Sequence, residues 1–112
     1  MLARANRVVK PSDFRAIVRR GRRASCASAL IYRIERDRSD PARFGFIVSK
    51  AVGNAVERNL VRRRMRAVAR SIVDAGGTGS DVVIRALPGS AQRGWNSLAA
   101  DMHAILDPAL TR

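Results

Sequence analysis

The sequence predicts an α+β fold, a two-layer α/β sandwich with one sheet of three to four strands and helices against it. Three observations lead there. Between Arg43 and Ser49, Phe44, Phe46 and Val48 alternate with Gly45, Ile47 and Ser49, the period of two of a strand. After Gly53-Asn54 the period becomes helical, with Val61, Met65, Val68 and Ile72 on one stripe. Apolar patterns on either side of this unit complete the order α, two or three strands, α, strand, α. At 112 residues the chain reads as one domain, 1–112, with 1–11 a basic N-terminal extension and 107–112 a short tail.

In chain order, Ser12 is positioned to cap a first helix, with Asp13 in the first turn where a negative charge suits the helix dipole. Phe14, Ile17 and Val18 form its apolar edge, and Gly21 ends it after Arg19-Arg20. Residues 24–35 read as a strand, with a break allowed between Cys26 and Ala29; Tyr32 shares a face with Leu30 and Ile34. The polar stretch 36–41 is expected to turn this strand as an antiparallel hairpin into the strand at 43–49. Asn54 is placed to cap the central helix, and Glu57, three residues on, to close a capping box. Gly76-Gly77-Thr78-Gly79 connects to a strand over 81–86, and Pro88-Gly89-Ser90 turns the chain. Ser90 is expected to cap a last helix with Trp95, Leu98, Met102, Ile105 and Leu106 in the core and Asp107-Pro108 at its end.

Charge narrows the function. Lys and Arg number 22 against 9 Asp and Glu, a net +13, which calls for an acidic partner, with nucleic acid ahead of a membrane surface. On the central helix Arg62, Arg63, Arg66 and Arg70 cluster opposite the apolar stripe, with Asn59 among them. Arg58, Arg62, Arg66 and Arg70 make three i,i+4 like-charge pairs, each costing roughly 0.2–0.5 kcal/mol. A face evolved for solubility alone would mix its signs; this one does not. A polyanion turns the repulsion into binding energy.

Other chemistry is thin. Cys26 is the sole cysteine, so no internal disulfide forms, and a reducing, cytoplasmic setting is expected. His103 is the sole histidine, which argues against a metal cluster or a nucleophilic triad, and neither GxxxxGK[ST] nor GxGxxG is present. No apolar run reaches the 18 residues of a membrane span. No catalytic residue and no metal ligand is therefore assigned.

Arg58-Asn59-Leu60-Val61-Arg62-Arg63-Arg64-Met65-Arg66 resembles the RNxxKRxxR signature of the bacterial ribonuclease P protein subunit, with Arg62 in the place of the usual lysine. Phe46 to Lys50 with Gly53 to Val56, Asp13-Phe14 with Gly21, Tyr32, and Asp81 to Arg85 fit the same family. The resemblance implies a left-handed βαβ crossover, a fold shared with a domain of a small-subunit ribosomal protein. It implies a monomeric protein that partners a catalytic RNA, which uses Mg²⁺ to cut the 5′ leader from precursor tRNA. Arg58, Asn59, Arg62, Arg63 and Arg66, with Arg70 continuing their face, would contact the RNA subunit. Phe14, Arg15, Tyr32, Lys50 and Asn54 would serve the leader, in a cleft between the first helix and the sheet. Val18 stands where the family often has a second aromatic, Ala51 where it often has a second lysine, and the basic C-terminal tail of some members is missing. The alternative is a ribosomal or RNA-chaperone protein with no part in cleavage. A stand-alone nuclease lacks a site, and a helix-turn-helix is disfavoured because the basic helix follows a strand.

Overall fold

The computed structural model describes residues 2–111. Its elements are α1 (Pro11–Arg20), β1 (Arg22–Ser25), β2 (Ala29–Glu35), β3 (Arg43–Ile47), α2 (Ala55–Asp74), β4 (Ser80–Ala86) and α3 (Trp95–Leu110), with 3₁₀ turns at Arg4–Asn6, Lys50–Val52 and Ser90–Gln92. The fold is α+β, with one mixed sheet in the order β1-β2-β4-β3. β2 runs antiparallel to β1 and β4, while β3 and β4 are parallel, so β3, α2 and β4 form a βαβ unit.

That order corrects the expected hairpin between the second strand and Arg43–Ile47. β4 lies between them, pairing Tyr32 with Val83 on one side and Gly45 with Val83 on the other. The cause is burial. Asp81, Val82, Val83 and Ile84 are all buried, a continuous run that suits a strand covered on both faces, not an edge.

The two main layers are the sheet and the α2–α3 pair. Ile31, Phe44, Val82 and Ile84 meet Val61, Met65, Ile72, Leu98, Met102 and Leu106 in the larger core. On the opposite face α1 lies across the sheet, where Ile17, Tyr32, Val83 and Val8 make a smaller cluster.

Several termini differ from expectation. α1 begins at Pro11, with Lys10 at the N-cap and no side-chain cap, so Ser12 lies inside the helix. Proline's fixed φ and missing N–H suit a first helical position. Ser90 is buried in a 3₁₀ turn, and α3 starts only at Trp95 after Gly94. Trp95, expected in the core, is 43% exposed, because the first residue of α3 projects past the layer that Leu98 and Met102 enter. Pro108 does not stop α3, which continues to a buried Leu110 whose carbonyl accepts from the Thr78 N–H. Residues 107–110 thus belong to the fold. The N-terminal stretch also docks: Leu2 and Val8 are buried, Val8 N–H donates to Phe44 O at 2.9 Å, and Asn6 Nδ2 donates to Ala42 O at 2.8 Å. It covers the β3 edge, which would otherwise present unpaired backbone groups.

Candidate nucleic-acid interface

α2 is held at its start by the capping box anticipated from sequence. Asn54 Oδ1 accepts from the Glu57 N–H at 2.9 Å, and Glu57 Oε1 accepts from the Asn54 N–H at 3.0 Å. Glu57 Oε2 also accepts from Gln92 Nε2 at 2.7 Å. Gly53 precedes the box at φ 154°, and a Cβ there would lie 2.5 Å from Glu57 Oε1. The acid in the first turn of α2 is therefore occupied at the cap, away from the arginine row.

Among the described residues no carboxylate pairs with Arg58, Arg62, Arg63 or Arg66. Arg62 donates to two neutral acceptors, Asn59 Oδ1 at 3.1 Å and Val48 O at 3.4 Å. Those bonds lean it over the end of β3. Arg63, Arg66 and Asn59 are exposed, and the partly buried Arg58 has a buried Nε with no hydrogen-bond partner among the described residues. Arg70 differs. Its guanidinium lies 3.6 Å from Asp74, one turn on, so its charge is offset and it is the weakest member of the row. Arg64 turns the other way and donates to Arg93 O at 2.9 Å.

Two grooves flank the β3 edge. One, of about 380 Å³, takes in Arg62 and Arg66 from α2, Arg7 and Val8 from the N-terminal stretch, and Phe14. The other, of about 340 Å³, lies between α1 and the sheet and is lined by Phe14, Arg15, Val18, Arg19, Ile47 and Arg85. Phe14 belongs to both. Its ring is seated over Gly45, where an added Cβ would lie 2.5 Å from Cε1. The arginine row of α2 and the cleft of α1 are thus neighbours around one sheet edge.

Of the residues matched to the leader, Phe14 and Arg15 line the cleft. Tyr32 is 8% exposed beneath α1, so its ring supports the floor and has no free face to stack on a base. Lys50 is exposed on the turn after β3, and Asn54, with its side-chain oxygen bound in the cap, keeps only its amide N–H groups for a ligand. Arg19 and Arg85 line the cleft without having been singled out from sequence. In the sequence Arg85 stands out only as the basic residue that follows Val82-Val83-Ile84; the structure makes it the one exposed residue of β4. An apolar cleft with an aromatic wall and three arginines suits a flexible polyanion whose bases stack and whose phosphates pair with guanidinium groups.

Away from this surface the fold assembles a Ser-His-Asp array that residue spacing did not foretell. Ser71 Oγ lies 3.3 Å from His103 Nε2, and His103 Nδ1 lies 2.8 Å from Asp107 Oδ1. The Ser71 hydroxyl donates to Val68 O at 2.7 Å, so its proton is directed at a carbonyl and not at the imidazole. Ser71 also sits inside α2, whose backbone N–H groups are consumed by helical bonds, leaving none for an oxyanion. The array joins α2 to α3 and is no hydrolytic site.

The ribonuclease P family model matches residues 2–110. The ribonuclease P protein component of Clavibacter michiganensis is 46% identical over 110 residues, covering 98% of this chain and 97% of the relative. That of an Arthrobacter species is 43% identical over 112 residues, covering 100% of this chain and 82% of the relative. Among solved structures, the RNase P protein of Staphylococcus aureus superposes with a TM-score of 0.84 at 23% identity, covering 97% of this chain and 100% of that one. The RNase P protein of Thermotoga maritima gives 0.79 at 19% identity, covering 91% and 96%; at these identities the likeness is one of fold. Matched along nearly its whole length, this chain belongs to the ribonuclease P protein component family.

Proposed function

We propose that this chain is the protein subunit of a ribonuclease P holoenzyme, binding the catalytic RNA through α2 and the 5′ leader of precursor tRNA through the α1 cleft. The observation that carries the reading is the row Arg58, Arg62, Arg63 and Arg66, unpaired with any described carboxylate and set beside a cleft with an aromatic wall. The protein's part is affinity and charge screening between two RNAs; the RNA performs the hydrolysis. Among the described residues no three His, Cys, Asp or Glu side chains gather to hold an ion, and this reading leaves the Mg²⁺ mainly to RNA phosphates. A monomer in the cytoplasm completes the proposal.

The test is to mix the purified chain with precursor tRNA, with and without the catalytic RNA, at low Mg²⁺. Leader removal that needs both components is expected. Cleavage by the protein alone, or tight RNA binding that never alters cleavage, would sink the reading, the latter in favour of an RNA-chaperone role. Arg62→Ala with Arg66→Ala should weaken assembly and flatten its salt dependence by about 1.4–1.8 log units per log unit of salt. Phe14→Ala should lower affinity for precursor over mature tRNA by up to the ~1–3 kcal/mol of one base–aromatic stack.

A further inference from the structure

The cleft continues past its rim. Arg15 and Arg19, which line it, also border a shallow depression on the outside of α1 that reaches Arg20. Arg20 in turn borders a groove at the start of β1, with Arg22 and Arg33. Three depressions therefore run into one another through shared arginines, from the Ile47–Arg85 end of the sheet, over α1, to the sheet's far edge.

Arg15, Arg19, Arg20 and Arg22 are exposed, and none pairs with a described carboxylate. Glu35, the acid at the last groove, lies 3.7 Å from Arg33. Helix electrostatics explain only part of this. Cations in the last turn of α1 suit its carbonyl end, which accounts for Arg19 and Arg20. Arg15 is further back, and Arg22 stands directly opposite Arg33 in the β1–β2 register, a like-charge pair that disfavours the sheet.

We infer that this row is a track for the sugar-phosphate backbone of single-stranded RNA, continuing the path of leader nucleotides upstream of those in the cleft. The inference rests on the cleft reading above. Arg15 and Arg19 are one helical turn apart, roughly 5–6 Å between Cβ atoms, so they can meet phosphates along one strand. No aromatic ring lines the two outer depressions. The track therefore senses charge and leader length, not base identity.

The test uses the holoenzyme reconstituted from this chain and its catalytic RNA, with precursor tRNAs whose leaders end inside the cleft or extend well beyond it. Arg20→Ala with Arg22→Ala should lower affinity for the long leader about tenfold and flatten its salt slope by about 1.4 units, leaving the short leader unaffected. Arg20→Lys with Arg22→Lys, which keeps the charge, should retain most of the long-leader affinity. An unchanged long-leader affinity overturns the track while leaving the cleft intact. Equal losses for both leaders, lysine variants as weak as the alanine ones, or weakened RNA-subunit assembly in place of leader binding overturn it as well. If the unaltered chain fails to favour precursor over mature tRNA, the cleft reading falls, and the track with it.

Discussion

Gly45 decides where the cleft's aromatic wall stands. The Phe14 ring occupies the space a side chain at 45 would need, and Val8 Cβ would lie 3.1 Å away on another side. Gly45→Ala is expected to cost about 1–2 kcal/mol through overpacking and to displace the ring. Urea unfolding gives the first effect, and precursor-over-mature affinity the second; an unchanged midpoint and unchanged discrimination would show that the ring has other places to sit. Phe14 was legible as an apolar position on α1, but its seat was not. The seat needs β3 and α1 in the same place, and they are separated in sequence by two strands.

α2 carries an intrinsic repulsion. Three like-charge i,i+4 pairs oppose it by roughly 0.2–0.5 kcal/mol each, although Asp74 opposite Arg70 and Asn59 beside Arg62 soften this. The helix holds because Val61, Met65, Val68, Ala69 and Ile72 are buried and because its start is capped. Asn54→Ala should cost about 1 kcal/mol of stability, read in thermal or urea unfolding. On the proposed contact of α2 with RNA, cleavage at saturating RNA should remain, since bound phosphates would counter the repulsion; no loss of stability would show that the cap adds nothing to burial. Element identity was readable here because cap, stripe and charge all lie within one continuous stretch. Trp95 was misjudged for the opposite reason. Periodicity places it on the stripe of α3, yet whether the first turn of a helix overlies a sheet is set by where the preceding chain emerges.

Across the molecule the acids are gathered into a few pairs, leaving one surface positive. Asp81 is the centre of the largest group, accepting from Arg43 at 2.9 and 2.7 Å and from Arg36 at 3.1 Å, with Asp13 3.9 Å from Arg43. Burial pushes the Asp81 carboxyl up, but the hydrogen bonds and charges of Arg43 and Arg36 outweigh it and hold it below its ordinary value of 3.8. A carboxyl with a depressed folded value stabilises the protein above its unfolded value, and the contribution fades as pH falls through the folded one. Asp81→Asn should therefore lose about 2–3 kcal/mol at neutral pH, where it leaves two arginines without their acceptor. The gap to the parent should begin to narrow as pH falls past about 3.8 and close only as it passes through the lower folded value. A stability curve parallel to the parent's down to acid pH would show that the group is not coupled to folding.

By itself the sequence determined the main helices and strands and the basic character of α2. These follow from local periodicity, capping and composition. Only the tertiary structure decided that β4 lies between β2 and β3, that the N-terminal stretch seals the β3 edge, and that Arg19 and Arg85 share a cleft with Phe14. Strand order depends on which strand can be buried on both faces, and a cleft depends on which side chains meet across the sheet. Both are competitions among distant segments, which no single stretch of residues records.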